Sequence, residues 1–279
     1  MEILKNIEIE GRHGKSILAD VFYRESREPK PVIIFSHGFK GFKDWGAYNL
    51  LAQYFANKKF VFVKFNFSHN GISHAKTDEF DDLDAFGKNN FEIELDDLAT
   101  VIDWITETPL VQEHQKNLSE IYLIGHSRGG GISILKAAED IRIKKLVTWA
   151  SVNDFGAKWD ESFVEKWKKD GLIQILNTQT HQKMPLYYQL YENYLKNKDR
   201  FNIRTAVEKL KIPFLVIQGT EDQSVSMEIG LEFKRWNQGL KLDLIPNADH
   251  TFGVKHPYDS LNLPFDAQIV WEHTLDYLK

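Results

Sequence analysis

Short apolar runs alternate with longer amphipathic stretches along most of the chain. The runs at 32–35, 121–124 and 214–217 are wholly apolar and rich in β-branched residues, a pattern typical of strands that are buried on both faces. The stretch 91–106 carries apolar residues at helical spacing, and Pro109 follows its end. Strands that alternate with helices predict a mostly parallel, doubly wound sheet with right-handed crossovers.

The start of the chain has a different pattern. Apolar residues alternate over 3–9, and strand-like sequence follows over 17–23, with a glycine-containing turn between them. This predicts an antiparallel hairpin. The remaining predicted strands are 60–67, 145–150 and 241–245, and the remaining predicted helices are 47–58, 130–140, 227–236 and 267–278. The sheet is therefore expected to have eight strands.

The alternation stops in the segment 151–211, which is rich in tryptophan and tyrosine, and it resumes at Pro213. We therefore predict an α/β core formed by residues 1–150 and 212–279, and an inserted cap or lid formed by residues 151–211 after the sixth strand. The aromatic side chains of the cap form either the core of a small helical lid or the lining of a substrate pocket, and the two roles are compatible. The predicted substrate-binding residues are Trp159, Trp167, Tyr187 and Tyr188.

A serine lies between two glycines where a predicted buried strand meets a predicted helix, in Gly125-His126-Ser127-Arg128-Gly129. A G-x-S-x-G sequence at a strand-to-helix turn is typical of a nucleophile elbow. Such a turn holds the serine in a strained conformation, and a side chain at either glycine would collide with the neighbouring strand or helix. The pattern in this context predicts Ser127 as a catalytic nucleophile.

A serine hydroxyl needs a base to accept its proton and an acid to orient that base. Functional groups in open α/β sheets gather beyond the carboxyl ends of the strands. Asp222 and His250 each follow a late predicted strand, so the order is Ser127, Asp222, His250, as expected for an α/β-hydrolase triad. Glu221 and Asp249 are alternative acids. We favour Asp222, because Asp249 adjoins the histidine in sequence and a loop facing it across the sheet is better placed.

Other histidines are weaker candidates for the base. His256 lies farther past its strand, and His126 within the elbow is expected to point away from the hydroxyl. His37, His69 and His74 lie in loops at the same edge of the sheet, where structural or solvent-facing roles are expected, although His69 or His74 could reach a substrate.

Acyl transfer also needs donors for the developing oxyanion, and these are usually backbone N–H groups. One is the amide of the residue after the nucleophile, Arg128, and the other comes from the loop after the third strand. Gly38 and Gly41 allow that loop to turn its amides inward. We predict an oxyanion hole formed by the amides of Phe39 and Arg128.

These motifs together resemble the α/β-hydrolase superfamily. The segments that carry the resemblance are His37-Gly38-Phe39, Phe65-Asn66-Phe67 before Gly71-Ile72-Ser73, Gly125-His126-Ser127-Arg128-Gly129-Gly130, Gly219-Thr220-Glu221-Asp222 and Ala248-Asp249-His250. Within the superfamily the chain looks like the branch of cinnamoyl (feruloyl) esterases, dienelactone-hydrolase-like proteins, and serine-aminopeptidase-like lipases and esterases. It departs from that branch at Arg128, where glutamine is frequent, and at Ser68-His69-Asn70, where a shorter glycine-rich turn is usual.

We therefore predict a serine hydrolase of carboxylic esters that needs no metal or organic cofactor. The aromatic residues of the cap indicate a small to medium aromatic or apolar ester as its substrate. Amide or peptide hydrolysis, as in an aminopeptidase, is an alternative activity. A protein that binds a small ligand on the same scaffold without turnover is an alternative from a different class.

Composition restricts the remaining possibilities. The 279 residues include no cysteine, which excludes disulfides, thiolate metal sites and a cysteine nucleophile. The net charge of -5 gives no reason to expect a nucleic-acid partner. No apolar run approaches the length of a membrane span, and charged residues within 1–10 do not fit a signal peptide. We expect a cytoplasmic monomer or homodimer that acts on a small-molecule ester.

The acidic run 78–84 suggests a calcium loop at first reading. A loop aligned on Asp82 and Asp84 would place Phe86 and Ile93 at ligand positions, which excludes that interpretation. We therefore expect no metal site and interpret the run as a solvated loop that leads into a helix.

Overall fold

The computed structural model describes residues 1–77, 79–157, 159–177 and 180–279. Within these ranges the chain forms an eight-stranded sheet and a separate two-stranded sheet. The strands are β1 Glu2–Ile9, β2 Ile17–Tyr23, β3 Lys30–Ser36, β4 Val61–Asn66, β5 Lys116–His126, β6 Ile143–Trp149, β7 Leu172–Leu176, β8 Lys183–Tyr187, β9 Phe214–Gly219 and β10 Lys241–Ile245. The helices are α1 Tyr48–Asn57, α2 Leu83–Lys88, α3 Phe91–Glu107, α4 Arg128–Glu139, α5 Glu161–Asp170, α6 Gln189–Lys196, α7 Ile203–Lys209, α8 Met227–Trp236 and α9 Phe265–Leu278, and a short 3-10 helix covers Glu113–Gln115.

The large sheet has the order β1-β2-β4-β3-β5-β6-β9-β10. The pairs β1–β2 and β2–β4 are antiparallel, and the other neighbouring strands are parallel. The predicted fold, a mostly parallel eight-stranded sheet that begins with a hairpin, is therefore confirmed. Strand β5 is longer than the predicted strand at 121–124. Its first residues are mostly polar and partly exposed at one end of the sheet, so the apolar run used for the prediction did not include them.

The direction of the chain reverses at the centre of the sheet. It passes from β3 to β4 in one direction and from β4 back to β5 in the other, so right-handed crossovers place α1 and α3 on opposite faces. Packing agrees with this assignment: α3, α4, α7 and α8 pack successively in one layer, and the rings of Tyr54 in α1 and Trp271 in α9 lie 5.6 Å apart on the other. In the described ranges, every helix is too short or too polar to cross a bilayer.

The chain leaves the large sheet between β6 and β9. This connection contains α5, α6, α7 and the antiparallel β7–β8 hairpin, a pair of strands that the sequence analysis did not predict. The hairpin forms where Leu172, Ile173, Ile175 and Leu176 give β7 an apolar, partly β-branched sequence. Because α7 packs against α4 and α8, the end of the connection joins the helix layer on the sheet.

The acidic run leads into α2, as expected from the sequence. Asp78 lies outside the described residues. The side chain of Asp82 caps the helix by accepting the amide of Ala85 at 3.0 Å, and Asp84 accepts a hydrogen bond from Lys88 at 2.6 Å. Over the described residues, no group of three or more His, Asp or Glu side chains is arranged to hold a metal ion.

Candidate active site

Ser127 occupies the tight turn between β5 and α4. Its backbone has φ 55° and ψ -120°, a left-handed conformation that is costly for a residue with a side chain. A Cβ on Gly125 would lie 2.5 Å from the carbonyl of Gly129, and a Cβ on Gly129 would lie 2.3 Å from the carbonyl of His37. Glycine at both positions therefore permits the turn that presents Ser127 to the cavity.

The structure brings together the three residues predicted as a triad. Nε2 of His250 lies 3.1 Å from Oγ of Ser127, and Nδ1 of His250 lies 2.8 Å from Oδ2 of Asp222. With the proton of a neutral imidazole on Nδ1, its Nε2 lone pair faces the serine hydroxyl. This geometry lets the imidazole accept the hydroxyl proton while the carboxylate holds the ring in place.

Asp222 is held as a carboxylate. Its Oδ1 accepts the amides of Ser224 and Val225 at 2.8 and 2.9 Å, and its Oδ2 also accepts from Nε2 of Gln218 at 3.0 Å. Burial alone would raise the pKa of Asp222, but the hydrogen bond and charge of His250, with the two amides, bring it below its ordinary value. The sequence analysis missed Gln218; the available signal was a polar residue that follows the apolar run of β9.

The alternative acids are placed elsewhere. Oδ1 of Asp249 accepts the amides of Thr251 and Gly253, each at 2.9 Å, and so closes the turn that carries His250. Glu221 is exposed. Only Asp222 among these three carboxylates bonds the imidazole in the described structure.

His126 contacts the backbone of His250. Nε2 of His126 donates to the carbonyl of His250 at 2.9 Å, and the two rings lie 4.9 Å apart. Burial, with a smaller effect from His250, lowers the pKa of His126 to about 3, so this imidazole stays neutral. The sequence predicted a packing and hydrogen-bonding residue here, but it did not indicate contact with the base.

The remaining candidate histidines, His37, His69, His74 and His256, line no part of the cavity. Nδ1 of His37 donates to the next carbonyl at 2.9 Å, and burial lowers its pKa to about 4. Nδ1 of His256 accepts the amide of Gly46 at 3.0 Å. His69 is buried and bonds the preceding serine hydroxyl at 2.8 Å, whereas His74 is exposed. The suggestion that His69 or His74 reaches a substrate is therefore not supported by their positions.

The amides predicted as oxyanion donors belong to residues that line the cavity beside Ser127. Neither the N–H of Phe39 nor that of Arg128 has an acceptor in the described part of the chain. The loop that carries Phe39 is closed by a hydrogen bond of 3.0 Å from the amide of Gly41 to the carbonyl of Gly38. Both amides are thus available to a group bound at the serine.

A cavity of about 560 Å³ opens above Ser127. Its wall is largely apolar and comes from both the core and the connection between β6 and β9. The apolar and aromatic residues that line it are Phe39, Trp45, Tyr48, Phe91, Val152, Phe155, Ala157, Trp159, Leu186, Leu190, Val225 and Ile229. Such a cavity fits a small organic molecule with an apolar body.

Three of the four aromatic residues predicted to bind substrate do not line this cavity. Trp159 lines it, whereas Trp167 is fully buried in the connection and its indole N–H donates to a carbonyl of β8 at 2.8 Å. The hydroxyl of Tyr187 donates to Asp84 at 3.0 Å, and the ring of Tyr188 packs against Trp167. Aromatic content alone did not distinguish the wall of the cavity from the packed interior of the connection.

Comparison with known proteins gives relatives of the same fold. A Mycoplasma genitalium protein named "Putative esterase/lipase 2" is 27% identical over 74% of this chain and 77% of its own length. The structure of Est1E from Butyrivibrio proteoclasticus with bound ferulic acid superposes with a TM-score of 0.72 at 19% identity, covering 98% of this chain and 97% of Est1E. A dienelactone hydrolase from Anabaena variabilis superposes with a TM-score of 0.63 at 14% identity, covering 99% and 96% of the two chains.

The family model for the alpha/beta hydrolase fold matches residues 31–173, which include the loop after β3, the elbow and the start of the connection. This match confirms the resemblance predicted from the motifs. The chain belongs to the α/β hydrolase family.

Proposed function

We propose that the protein is a serine hydrolase of carboxylic esters, with Ser127, His250 and Asp222 as its catalytic triad. The observation that carries this proposal is the continuous chain of hydrogen bonds from Ser127 Oγ through His250 to Asp222, at 3.1 and 2.8 Å. The name of the Mycoplasma relative and the ferulic acid bound to Est1E favour an ester as the substrate.

In the first half of the reaction, Oγ of Ser127 attacks the ester carbonyl carbon while Nε2 of His250 takes the hydroxyl proton. The carbonyl oxygen becomes an oxyanion that accepts the amides of Phe39 and Arg128. The bond to the leaving alcohol then breaks, and His250 returns the proton to the alcohol oxygen. The product of this half is an acyl-enzyme.

In the second half, His250 takes a proton from a water molecule, which attacks the acyl carbon. The second tetrahedral intermediate collapses, the bond to Ser127 breaks, and His250 returns the proton to Oγ. Asp222 stabilises the imidazolium in both halves because it stays ionised. This chemistry requires no metal ion or organic cofactor.

The apolar and aromatic wall favours a small to medium aromatic or apolar ester. Trp159, Leu186 and Leu190 belong to the connection between β6 and β9 and contribute to that wall. We therefore propose that this connection acts as a cap that covers the substrate. Burial of the acyl group beneath it would contribute binding free energy of about 25 cal/mol per Å² of apolar surface.

The first test measures hydrolysis of an ester panel, from acetyl to long acyl and hydroxycinnamoyl groups. We expect turnover of at least one member and loss of that turnover in Ser127→Ala. Ser133→Ala is a matched control, because Ser133 lies in α4 away from the cavity and its hydroxyl has no partner among the described residues. This variant should keep wild-type activity.

Two outcomes would redirect the proposal. Faster turnover of aminoacyl anilides than of matched esters would indicate an amide or peptide hydrolase. If Ser127 does not react with a fluorophosphonate probe and no ester of the panel is hydrolysed, the result would indicate a binding protein.

A further inference from the structure

Arg128 lines the cavity beside the proposed nucleophile, and its guanidinium contacts two aromatic residues that line the same cavity. Its side chain is only 13% exposed, and the centre of its guanidinium lies 3.9 Å from the ring centroid of Phe39 and 5.3 Å from that of Phe91. Contact with two aromatic rings restricts the orientation of the guanidinium. Its donors therefore have defined directions.

Glu94 holds one side of this guanidinium. Nη1 of Arg128 donates to Oε1 of Glu94 at 3.0 Å, and Nδ2 of Asn89 donates to the same oxygen at 2.8 Å. A buried ion pair contributes little net stability, because removing two charges from water costs about as much as their attraction returns. An uncharged side chain would fill the space at lower cost, so packing alone does not account for the arginine.

Most donors of Arg128 have no partner among the described residues. A guanidinium has five N–H groups, and within the described residues Glu94 is the acceptor found for Arg128. Its other nitrogen atoms are not among the described buried atoms that lack a partner, so they are accessible. Arg128 and the two aromatic residues that its guanidinium contacts all line the cavity. A ligand in the cavity can reach them.

In the proposed reaction, Arg128 would lie on the acyl side of a bound ester. The leaving alcohol must lie next to Nε2 of His250, because that atom returns the proton to it. The contacts of Arg128 are with Phe39, Phe91 and Glu94, and none of its described contacts is with His250. The part of the substrate that extends away from His250 is the acyl chain.

The charged groups around the cavity carry no net positive charge. Arg128 is paired with Glu94, and the other charged side chains that line the described cavity are Lys40 and Asp154. Asp222, bonded to His250, adds a further negative charge, so two cationic and three anionic groups leave no excess positive charge to attract a carboxylate. The free donors of Arg128 therefore suit a neutral oxygen.

We infer that the enzyme selects esters whose acyl chain combines an apolar body with a neutral oxygen acceptor, a ketone, hydroxyl or ether, that Arg128 binds. This inference rests on the proposed ester hydrolysis. It makes Arg128 a specificity-determining residue through its side chain, separately from the role of its backbone amide.

The test compares acyl groups of equal carbon number on one alcohol. The probes are the 4-nitrophenyl esters of hexanoate, 4-oxohexanoate and 5-oxohexanoate, and the mono-4-nitrophenyl ester of adipate, each corrected for uncatalysed hydrolysis. We expect kcat/KM for the better oxo ester to exceed that for hexanoate by about tenfold, which corresponds to one good hydrogen bond to a charged group. For the adipate ester, which carries a carboxylate, kcat/KM should not exceed that for hexanoate.

Four variants separate recognition from a structural role: three at the Arg128–Glu94 pair and one control elsewhere. Arg128→Met should bring the ratio of kcat/KM for the oxo esters to kcat/KM for hexanoate to about one, whatever the overall activity of the variant. Arg128→Lys should keep part of the preference for the oxo esters. Glu94→Gln leaves the guanidinium charge unpaired and should raise kcat/KM for the adipate ester relative to kcat/KM for the oxo esters. Arg204→Met, an exposed arginine of α7 outside the cavity, should leave all ratios unchanged.

The inference and the proposed function fail in different ways. The inference alone is overturned if Ser127 is needed for hydrolysis of the hexanoate ester but kcat/KM for the oxo esters is about equal to that for hexanoate. It is also overturned if the oxo esters are preferred and Arg128→Met does not change that preference. If no ester is hydrolysed, the proposed function fails, and calorimetry still tests Arg128. In that measurement hexanamide and 5-oxohexanamide are titrated into the Ser127→Ala variant. Tighter binding of the oxo amide, lost in the double variant that also carries Arg128→Met, supports the inference. Equal binding of the two amides overturns it.

Discussion

At the scale of single residues, the candidate site depends on protonation states that the surroundings impose. The pKa of Asp222 is lowered and that of His126 is lowered to about 3, so one group is held charged and the other neutral. His250 lies between them, bonded to the carboxylate through its ring and to His126 through its carbonyl. The neighbours of the proposed base therefore fix both its tautomer and its backbone.

Asp222→Asn should reduce kcat by about three to four orders of magnitude, because the amide cannot hold the Nδ1–H tautomer or stabilise the imidazolium. The measurement is kcat on the best ester of the panel. Asp249→Asn is the matched control and should retain most activity, since the side chain of Asp249 bonds only its own turn among the described residues. A larger loss in Asp249→Asn than in Asp222→Asn would contradict the assignment of the acid.

His126→Phe should lower kcat/KM about threefold to tenfold. The substitution keeps an aromatic ring but removes the N–H that donates to the carbonyl of His250, and such a hydrogen bond contributes about 1 kcal/mol. His126→Gln, which keeps a donor, should lose less. Equal activity of wild type and His126→Phe would show that this contact does not position the base.

At the scale of elements, α3 carries a buried carboxyl against the end of β4. Oδ2 of Asp97 accepts the amide of Ser68 at 2.7 Å, and Oδ1 has no partner among the described residues. Burial raises the pKa of Asp97 to about 7. The contact is therefore sensitive to pH in a range where most carboxyl groups are already ionised.

Asp97→Asn should stabilise the protein more at pH 8 than at pH 5. Between pH 4 and pH 7 the unfolded chain loses the Asp97 proton while the folded chain keeps it, so this group makes the free energy of unfolding fall by up to about 1.4 kcal/mol per pH unit. The variant lacks this dependence, and asparagine can still accept the amide of Ser68. Urea unfolding at the two pH values should show a difference on the order of 2 kcal/mol.

The control for that experiment is Asp103→Asn, an exposed carboxylate of the same helix, which should not gain stability at pH 8. An effect of Asp97→Asn that is the same at pH 5 and pH 8 would contradict a raised pKa.

At the scale of the whole molecule, the reversal of the sheet at β3 brings together loops that are distant in sequence. The loop after β3 carries Phe39, and the neighbouring β5 ends directly before Ser127. A buried ionic cluster supports this arrangement. Nζ of Lys64 and Nζ of Lys43 donate to Oδ2 of Asp20 at 2.8 and 3.0 Å, and both lysines also bond Asp44, which lies in the loop after β3.

Lys64→Met should destabilise the fold by about 3–5 kcal/mol, because it leaves Asp20 buried with one cation fewer. It should also lower kcat, since Asp44 loses a contact that anchors the loop carrying Phe39. Chemical denaturation and ester turnover measure the two effects. Lys144→Met on β6, where the lysine is exposed, should change neither, and a similar stability of the two variants would show that the cluster does not support the fold.

The sequence allowed much of the core and the site to be predicted, because local signals identify them. Apolar runs of buried strands, the glycines around Ser127 and the order of Asp222 and His250 after late strands are each visible within a few residues. The predicted bounds of β5 were too short, and the hairpin in the connection was not predicted. Polar strand ends and short aromatic-rich strands do not have a distinct periodicity.

The sequence by itself determined the order of strands and helices, the identity of the elbow and the three candidate triad residues, because backbone preferences and apolar periodicity are local properties. Only the tertiary structure decided which side chains face the cavity. Trp159 lines it while Trp167, Tyr187 and Tyr188 do not, and Arg128 is held by Glu94 between two rings. Such choices depend on how distant elements pack against one another, and that packing is not encoded in the spacing of residues along one segment.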